Sequence, residues 1–241
     1  MNNILSIILK KEVRQFFTDP MTILIGVLPF LIAVIFRLGI PPLTRFLTPW
    51  LDMSGLEPFW AGLLIMMGPM LFGFTGGFLF LDEKDQGLLP VLKVTPVSDS
   101  LWVFEKTIIP MLITLPGVLI QLALCGLVAP FHPRYILLAI LAALEAPFLT
   151  LAIAAAARDK VQGMTMGKTM SLIMMPPLLI YFIDHPLIHL SAISPPYWIL
   201  QTFRYAEQEG VNFWIFFTGG LFYHIILGVI IFALSRRRIF R

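Results

Sequence analysis

Charge is what this 241-residue chain has least of. Asp, Glu, Lys and Arg together make up 13% of it and hydrophobic residues 58%, where ordinary soluble domains carry roughly 25% charged residues. That shortage excludes a solvated globular surface. A single cysteine, Cys125, excludes an internal disulfide. No linker, low-complexity tract or repeat divides the chain, so 1–241 reads as one domain. Chemistry-bearing patterns are missing too. His185 and His189 stand four apart, but Pro186 lies between them and no Glu completes a zinc-protease helix. Ser171, Ser191 and Ser194 lack a glycine-flanked nucleophile turn. Gly76 and Gly77 in "GFTGGFLF" sit in an apolar run, where small residues let helices approach closely, and not in a phosphate-cradling loop. The expectation is no catalytic residue, no metal site and no cofactor bound by this chain.

What is present is apolar length. A bilayer core needs about 20 apolar helical residues to cross, and runs of that kind lie at 22–40, 59–81, 107–130, 136–157, 169–187 and 212–234. The short alternating segments of a membrane barrel are absent. The expected fold class is therefore all-α, a polytopic membrane protein of six transmembrane helices. Basic residues set its orientation, because they stay on the cytoplasmic side. Lys10, Lys11, Arg14, Lys84, Lys93, Lys106, Arg158, Lys160, Lys168, Arg236, Arg237, Arg238 and Arg241 fall on the side of both termini, Arg45, Arg134 and Arg204 on the other, and Arg37 near the outer end of the first span, where its stem can snorkel to the interface. The slight basic excess, formally +3, follows from this bias toward anionic lipid, so nucleic acid is not an expected partner.

Three segments lie outside the spans. Residues 1–19 lack the basic-then-apolar order of a cleavable signal peptide and read as an interfacial amphipathic helix: Leu5, Ile8, Leu9, Val13, Phe16 and Phe17 share one face, and Thr18-Asp19-Pro20 breaks it. On the outer side, 41–58 has the Pro and Trp content of an interface. Residues 185–211, with "SPPYW", are too apolar for a free loop and too Pro-broken to span, which predicts a re-entrant or interfacial segment. Between spans 2 and 3, the cytoplasmic loop 82–106 carries the densest charge cluster of the chain. Asp82 and Glu83 are placed there at the start of a short helix, Leu88, Leu89, Val91 and Leu92 give it an apolar body, and Thr95-Pro96 ends it.

The sequence "DEKDQGLLPVLKVTPVSDSLWVFEK" resembles the cytoplasmic loop of the type-2 ABC-transporter permeases: an acidic-basic pair, a Gly, a leucine-rich short helix, a Thr-Pro-Val-Ser turn and a Lys opening the next span. Glu83, Lys84, Gly87, Leu92, Thr95, Pro96, Val97, Ser98 and Lys106 match that pattern, while Leu88 stands where the family usually has Thr and Pro90 falls within the short helix. The N-terminal helix, the six spans, "SPPYW" and the basic tail extend the likeness across the chain, and small permeases of this size resemble drug or antibiotic exporters. The resemblance implies the transmembrane subunit of an ATP-driven exporter in a prokaryotic inner membrane, paired with itself or a paralogous permease. Two copies of a separate ATP-binding subunit would carry ATP and Mg, so this chain is not itself an enzyme. Asp82, Glu83, Lys84, Gly87, Leu92, Thr95, Pro96 and Lys106 would then couple ATPase motion to the spans.

Span residues must line any substrate route. Glu145, in the fourth span, is an ionisable group at a depth where one normally faces a partner or a cavity. Met170, Met174 and Met175 cluster around the fifth, where flexible thioethers suit varied apolar ligands. A competing class is a secondary transporter or channel with Glu145 as an intramembrane relay; such proteins show repeat symmetry and several buried charges, whereas here one stands out.

Overall fold

The structure is a computed structural model describing residues 14, 18–48, 50, 55–87, 98–128 and 131–239. The interfacial helix expected over 1–19, except Arg14, Thr18 and Asp19, therefore lies outside the described residues, as do Leu92, Thr95 and Pro96. Every regular element among the described residues is helical.

Helix α1 spans Pro20–Leu47 and starts as its sequence dictates, with the Asp19 carboxylate accepting the Thr22 N–H at 2.7 Å and Pro20 in the first turn, where its missing N–H is harmless. It runs past the expected end at 40, through Pro41 and Pro42. Helix α2 spans Glu57–Asp85 and ends at Gly87, whose φ of +68° supplies the left-handed residue that terminates a helix. This corrects one expectation: Asp82 and Glu83 do not begin a loop helix but occupy the last turn of α2. Helix α3, Asp99–Cys125, opens under the Ser98 hydroxyl, which accepts the Leu101 N–H at 3.3 Å. Lys106 thus sits in the body of α3 and does not open it.

The fourth run is broken once. Helix α4 is Arg134–Ala143 and α5 is Glu145–Ala156, parted at Leu144. Pro147 is the physical reason, since it has no N–H to bond the Ala143 carbonyl four residues back and its ring crowds that carbonyl. Among the described residues, five runs are long and apolar enough to cross a membrane: Thr22–Leu47, Glu57–Asp85, Ser100–Cys125, Arg134–Ala156 and Asn212–Ser235. The run expected at 169–187 is not one continuous helix. Helix α6, Lys160–Met174, is capped by Asp159 accepting the Gln162 N–H at 2.8 Å, and Pro176-Pro177 then stops it and hands over to a 3-10 segment, Pro176–Tyr181. This composite still follows α2 along most of its length. Gly163 abuts Leu81 and Phe78, Gly167 lies by Phe74, and Tyr181 meets Phe59 and Gly62.

A second 3-10 segment, Pro186–Ile193, leads into helix α7, Pro195–Arg204, and α8, Asn212–Ile239, closes the fold. The 185–211 stretch turns back into the bundle. The Tyr223 hydroxyl donates to the Ile193 carbonyl, and Tyr223 stands 11 residues, about 16 Å, along α8. From that depth α7 climbs along α8, with Trp198 packed over Gly219 and Gly220. A helix beginning inside an apolar bundle leaves N–H groups unmatched. Pro195 and Pro196 have none to leave, which is what "SPP" accomplishes here.

The centre is α2 against α3 and α5, and small residues set the distance. A Cβ on Gly73 would lie 2.7 Å from the Ala146 carbonyl oxygen, and one on Gly76 would lie 2.5 Å from Pro110 and 2.6 Å from the Thr150 hydroxyl. That hydroxyl donates to the Gly73 carbonyl at 3.0 Å.

Candidate functional site

Two polar clusters interrupt the apolar packing. The first lies at the Asp85 end of α2, where three helices are tied together. Glu83 is buried and pairs with Lys106 of α3 at 2.8 Å, with only 4% and 2% of the two side chains exposed. Lys106 also lies 5.7 Å from the Trp102 ring centroid. Asp82 pairs with Lys160 at the start of α6, 2.6 Å apart and partly exposed. The Lys84 ammonium donates to the Ala157 carbonyl at 3.1 Å. A last helical turn disfavours carboxylates because its free carbonyls are negative; cations from α3 and α6 offset this for Glu83 and Asp82. Removing one member of a buried pair costs about 3–5 kcal/mol, so Glu83–Lys106 is a rigid pin between α2 and α3. The structure thus brings Asp82, Glu83, Lys84 and Lys106 together and places Gly87 where the chain leaves α2. Glu83 faces inward, so its carboxylate is not a surface for a partner.

The second cluster is in the bundle interior. Glu145 follows the Leu144 break and is wholly buried, and neither carboxylate oxygen has a hydrogen-bond partner among the described residues. His224 of α8 is 4% exposed. Its Nδ1 lies 2.8 Å from the Gly220 carbonyl, which can only accept, so Nδ1 carries the hydrogen. Nε2 is then an acceptor in the neutral ring, buried without a hydrogen-bond partner among the described residues. The two residues share a level. The α4–α5 pair and α8 run in the same direction, with Arg134 4.9 Å from the Phe213 ring, Gly220 against Leu141, and Ser235 donating to the Leu151 carbonyl at 3.4 Å. One turn beyond the Leu141–Gly220 contact stand Glu145 and His224. Separately, beside Gly68 of α2, Gln121 of α3 is buried: its amide donates to the Leu64 carbonyl at 3.2 Å and its Oε1 has no hydrogen-bond partner among the described residues. Acceptors without donors suit a ligand rich in N–H groups, such as an ammonium.

The methionines are elsewhere. Met170 packs on Leu81, Ile153 and Ala157, two turns or more along α5 from Glu145. Met174 is buried, while Met175 beside it is 49% exposed. They do not line one wall with Glu145. Sequence reading missed His224 and Gln121, whose polarity at span depth was the available signal, as it was for Glu145.

Among the described residues, five apolar helical runs long enough to cross a bilayer, packed around buried polar side chains, define a multi-pass membrane protein. Residues 12–232 match the family model described as fluoroquinolones export permease protein Rv2686c-like, and the chain belongs to that family. Among its relatives are the fluoroquinolones export permease proteins Rv2686c of Mycobacterium tuberculosis strain H37Rv and MT2760 of strain CDC 1551. Each is 26% identical to this chain over 238 residues, covering 95% of this chain and 92% of the relative. The resemblance to drug-export permeases rests on a match over nearly the whole length.

Proposed function

We propose that this chain is the transmembrane subunit of an ATP-driven exporter that moves a fluoroquinolone-type drug out of the cytoplasm, working with a separate ATP-binding subunit. The observation that carries the reading is the family match over residues 12–232, with relatives named as fluoroquinolone export permeases. Six crossings complete the topology, the composite of α6 and its 3-10 continuation being the sixth. The Asp85 end of α2 and both termini face the cytoplasm of a prokaryotic inner membrane, in agreement with the distribution of Lys and Arg. Residues 185–211 form a re-entrant segment from the outer side.

The permease works as a pair, with itself or a paralogue, beneath two ATPase subunits that carry ATP and Mg. Loop 82–106 is the coupling element. Gly87, Leu92, Thr95 and Pro96 lie on the part that reaches the ATPase, while Asp82, Glu83, Lys84 and Lys106 lock its two ends to α2, α3 and α6, so that a push on the loop moves three helices together. Glu145 lies on the substrate path as the counter-charge for a cationic drug, and Met170, Met174 and Met175 serve the same path from the composite crossing of α6 as it moves.

Transport into inside-out vesicles containing the permease and its ATPase tests this. Uptake of a fluoroquinolone should require hydrolysable ATP and persist when the proton gradient is collapsed. Uptake driven by the gradient without ATP would overturn the reading in favour of secondary transport with Glu145 as relay, a reading that the unpartnered carboxylate also suits. Glu145→Gln should insert at least as well as wild type, since it removes an ionisable group whose insertion costs about 2.5 kcal/mol or more. Its transport of ammonium-bearing drugs should fall further than its transport of neutral ones.

A further inference from the structure

A cavity of about 600 Å³ opens at the Glu57 end of α2, between that end, the close of α3 and the close of α7. Its size suits a drug-sized molecule, for which pockets run about 300–1,000 Å³. Leu127, Val128, Tyr181 and Phe203 give it an apolar and aromatic lining, and its charged lining is Glu57, Arg204 and Glu207, the last already held by the Tyr135 hydroxyl. Glu57 and Arg204 line one space without pairing: an ion pair needs 4.0 Å or less, and none joins them or ties either to another ion among the described residues. Arg204 spends one of its five N–H donors on the Ile180 carbonyl, at 3.2 Å. The neighbouring polar groups are occupied with one another. Glu207 accepts from the Tyr135 hydroxyl, the Arg134 guanidinium donates to the Gln208 carbonyl at 2.6 Å, and the Gln208 amide donates to the Arg204 carbonyl at 3.0 Å. Tyr181 differs from these, its hydroxyl being buried with no hydrogen-bond partner among the described residues.

Opposite charges that line one partly aromatic space without pairing suit a flat molecule with a carboxylate at one end and an ammonium at the other. Arg is suited to the first, since its fork matches a carboxylate with two parallel hydrogen bonds. We propose that this cavity is a binding site for a planar aromatic zwitterion, its carboxylate held by Arg204 and its ammonium by Glu57, on the release side of the transport route. The inference rests on the export reading given above and adds to it a second, outward site, on the opposite side of the bundle's polar centre from the coupling loop. It also specifies the substrate class: both charged ends are recognised, on different helices.

The test is equilibrium binding of a fluoroquinolone carrying a free carboxylate and a free piperazinyl ammonium to the purified full chain in nanodiscs, followed by the drug's own fluorescence anisotropy. Wild type should bind it about tenfold or more tightly than its methyl ester or its N-acetyl derivative. Arg204→Gln should abolish the preference for acid over ester and leave the preference for free amine, Arg204→Lys should restore part of it, and Glu57→Gln should show the converse pattern. Arg45→Gln, an outer-side cation elsewhere, should change neither. Equal binding of all three ligands by wild type, an arm that needs no substitution, would overturn the site. So would preferences that survive Arg204→Gln. Cellular export of the same drug by wild type, measured in parallel, separates the two readings: export with no ligand preference in binding removes the outer site alone, and no export removes the drug-export reading and this site with it.

Discussion

Helices α2 and α1 are both apolar spans, yet 67% of the apolar window of α2 is buried inside the bundle and only 17% of that of α1. The same contrast separates Arg134–Ala156, at 61%, from Asn212–Ser235, at 11%. Hydropathy runs the other way, for α1 is the more apolar of the first pair. In lipid, apolar surface gains nothing by leaving one hydrocarbon environment for another, so burial follows packing and polar contacts. Helix α2 is central because Gly73 and Gly76 admit α3 and α5 to near-backbone distance and Thr150 bonds across the gap. Helices α1 and α8 present Leu24, Leu31, Leu38, Phe222, Ile226 and Val229 outward, a face suited to lipid.

The sharpest way to break this comparison is to unpair a central charge. Lys106→Met leaves Glu83 buried without its cation and should lower stability by about 3–5 kcal/mol, read as the melting temperature and monodisperse yield of the purified protein. The double variant Glu83→Leu/Lys106→Met should recover most of that loss. If Lys106→Met melts with wild type, the pin between α2 and α3 carries no stability.

Next in size is a single methyl group placed on a central and on a peripheral helix. Gly76→Ala drives a Cβ against Pro110 and Thr150 and should cost about 1–3 kcal/mol. Gly228→Ala on α8 meets nothing within 4 Å and should be neutral or stabilising by up to about 1 kcal/mol, as expected for replacing a helical glycine. Equal losses at the two positions would show that helix propensity and not packing governs both.

The smallest effect belongs to the second ion pair at the Asp85 end of α2. Asp82 and Lys160 retain 24% and 35% exposure, and partly solvated pairs contribute about 0.2–1 kcal/mol. Asp82→Asn should therefore shift the melting temperature slightly and should do so less at high salt. A loss as large as that of Lys106→Met would place the pair in the same rigid unit as Glu83.

Local signals were read well where a local cause suffices. Thr18-Asp19-Pro20 announced the start of α1, and five of the six apolar runs became helices long enough to cross. "SPPYW" marked a segment that is neither loop nor span. Local reading erred at Asp82 and Glu83, where two carboxylates look like a helix start. What overrides that signal is Gly87 just beyond, together with Lys106 and Lys160, which lie 23 and 78 residues away from their partners in the chain. It erred again at 169–187, where apolar length hid the interruption that Pro176-Pro177 imposes on an α-helix.

The sequence by itself determined that this protein lives in a membrane as a set of helices, because apolar length, proline position and the placement of basic residues act over one or two turns of chain. Only the tertiary structure decided which helix is central, that Glu83 is pinned inward by Lys106, that Glu145 and His224 share a level, and that Glu57 and Arg204 line one cavity without an ion-pair partner among the described residues. Each of these depends on residues distant in the chain arriving at the same height and face of neighbouring helices. That height is set by where helices begin and break and by how closely glycines let them approach, quantities to which no single stretch of sequence refers.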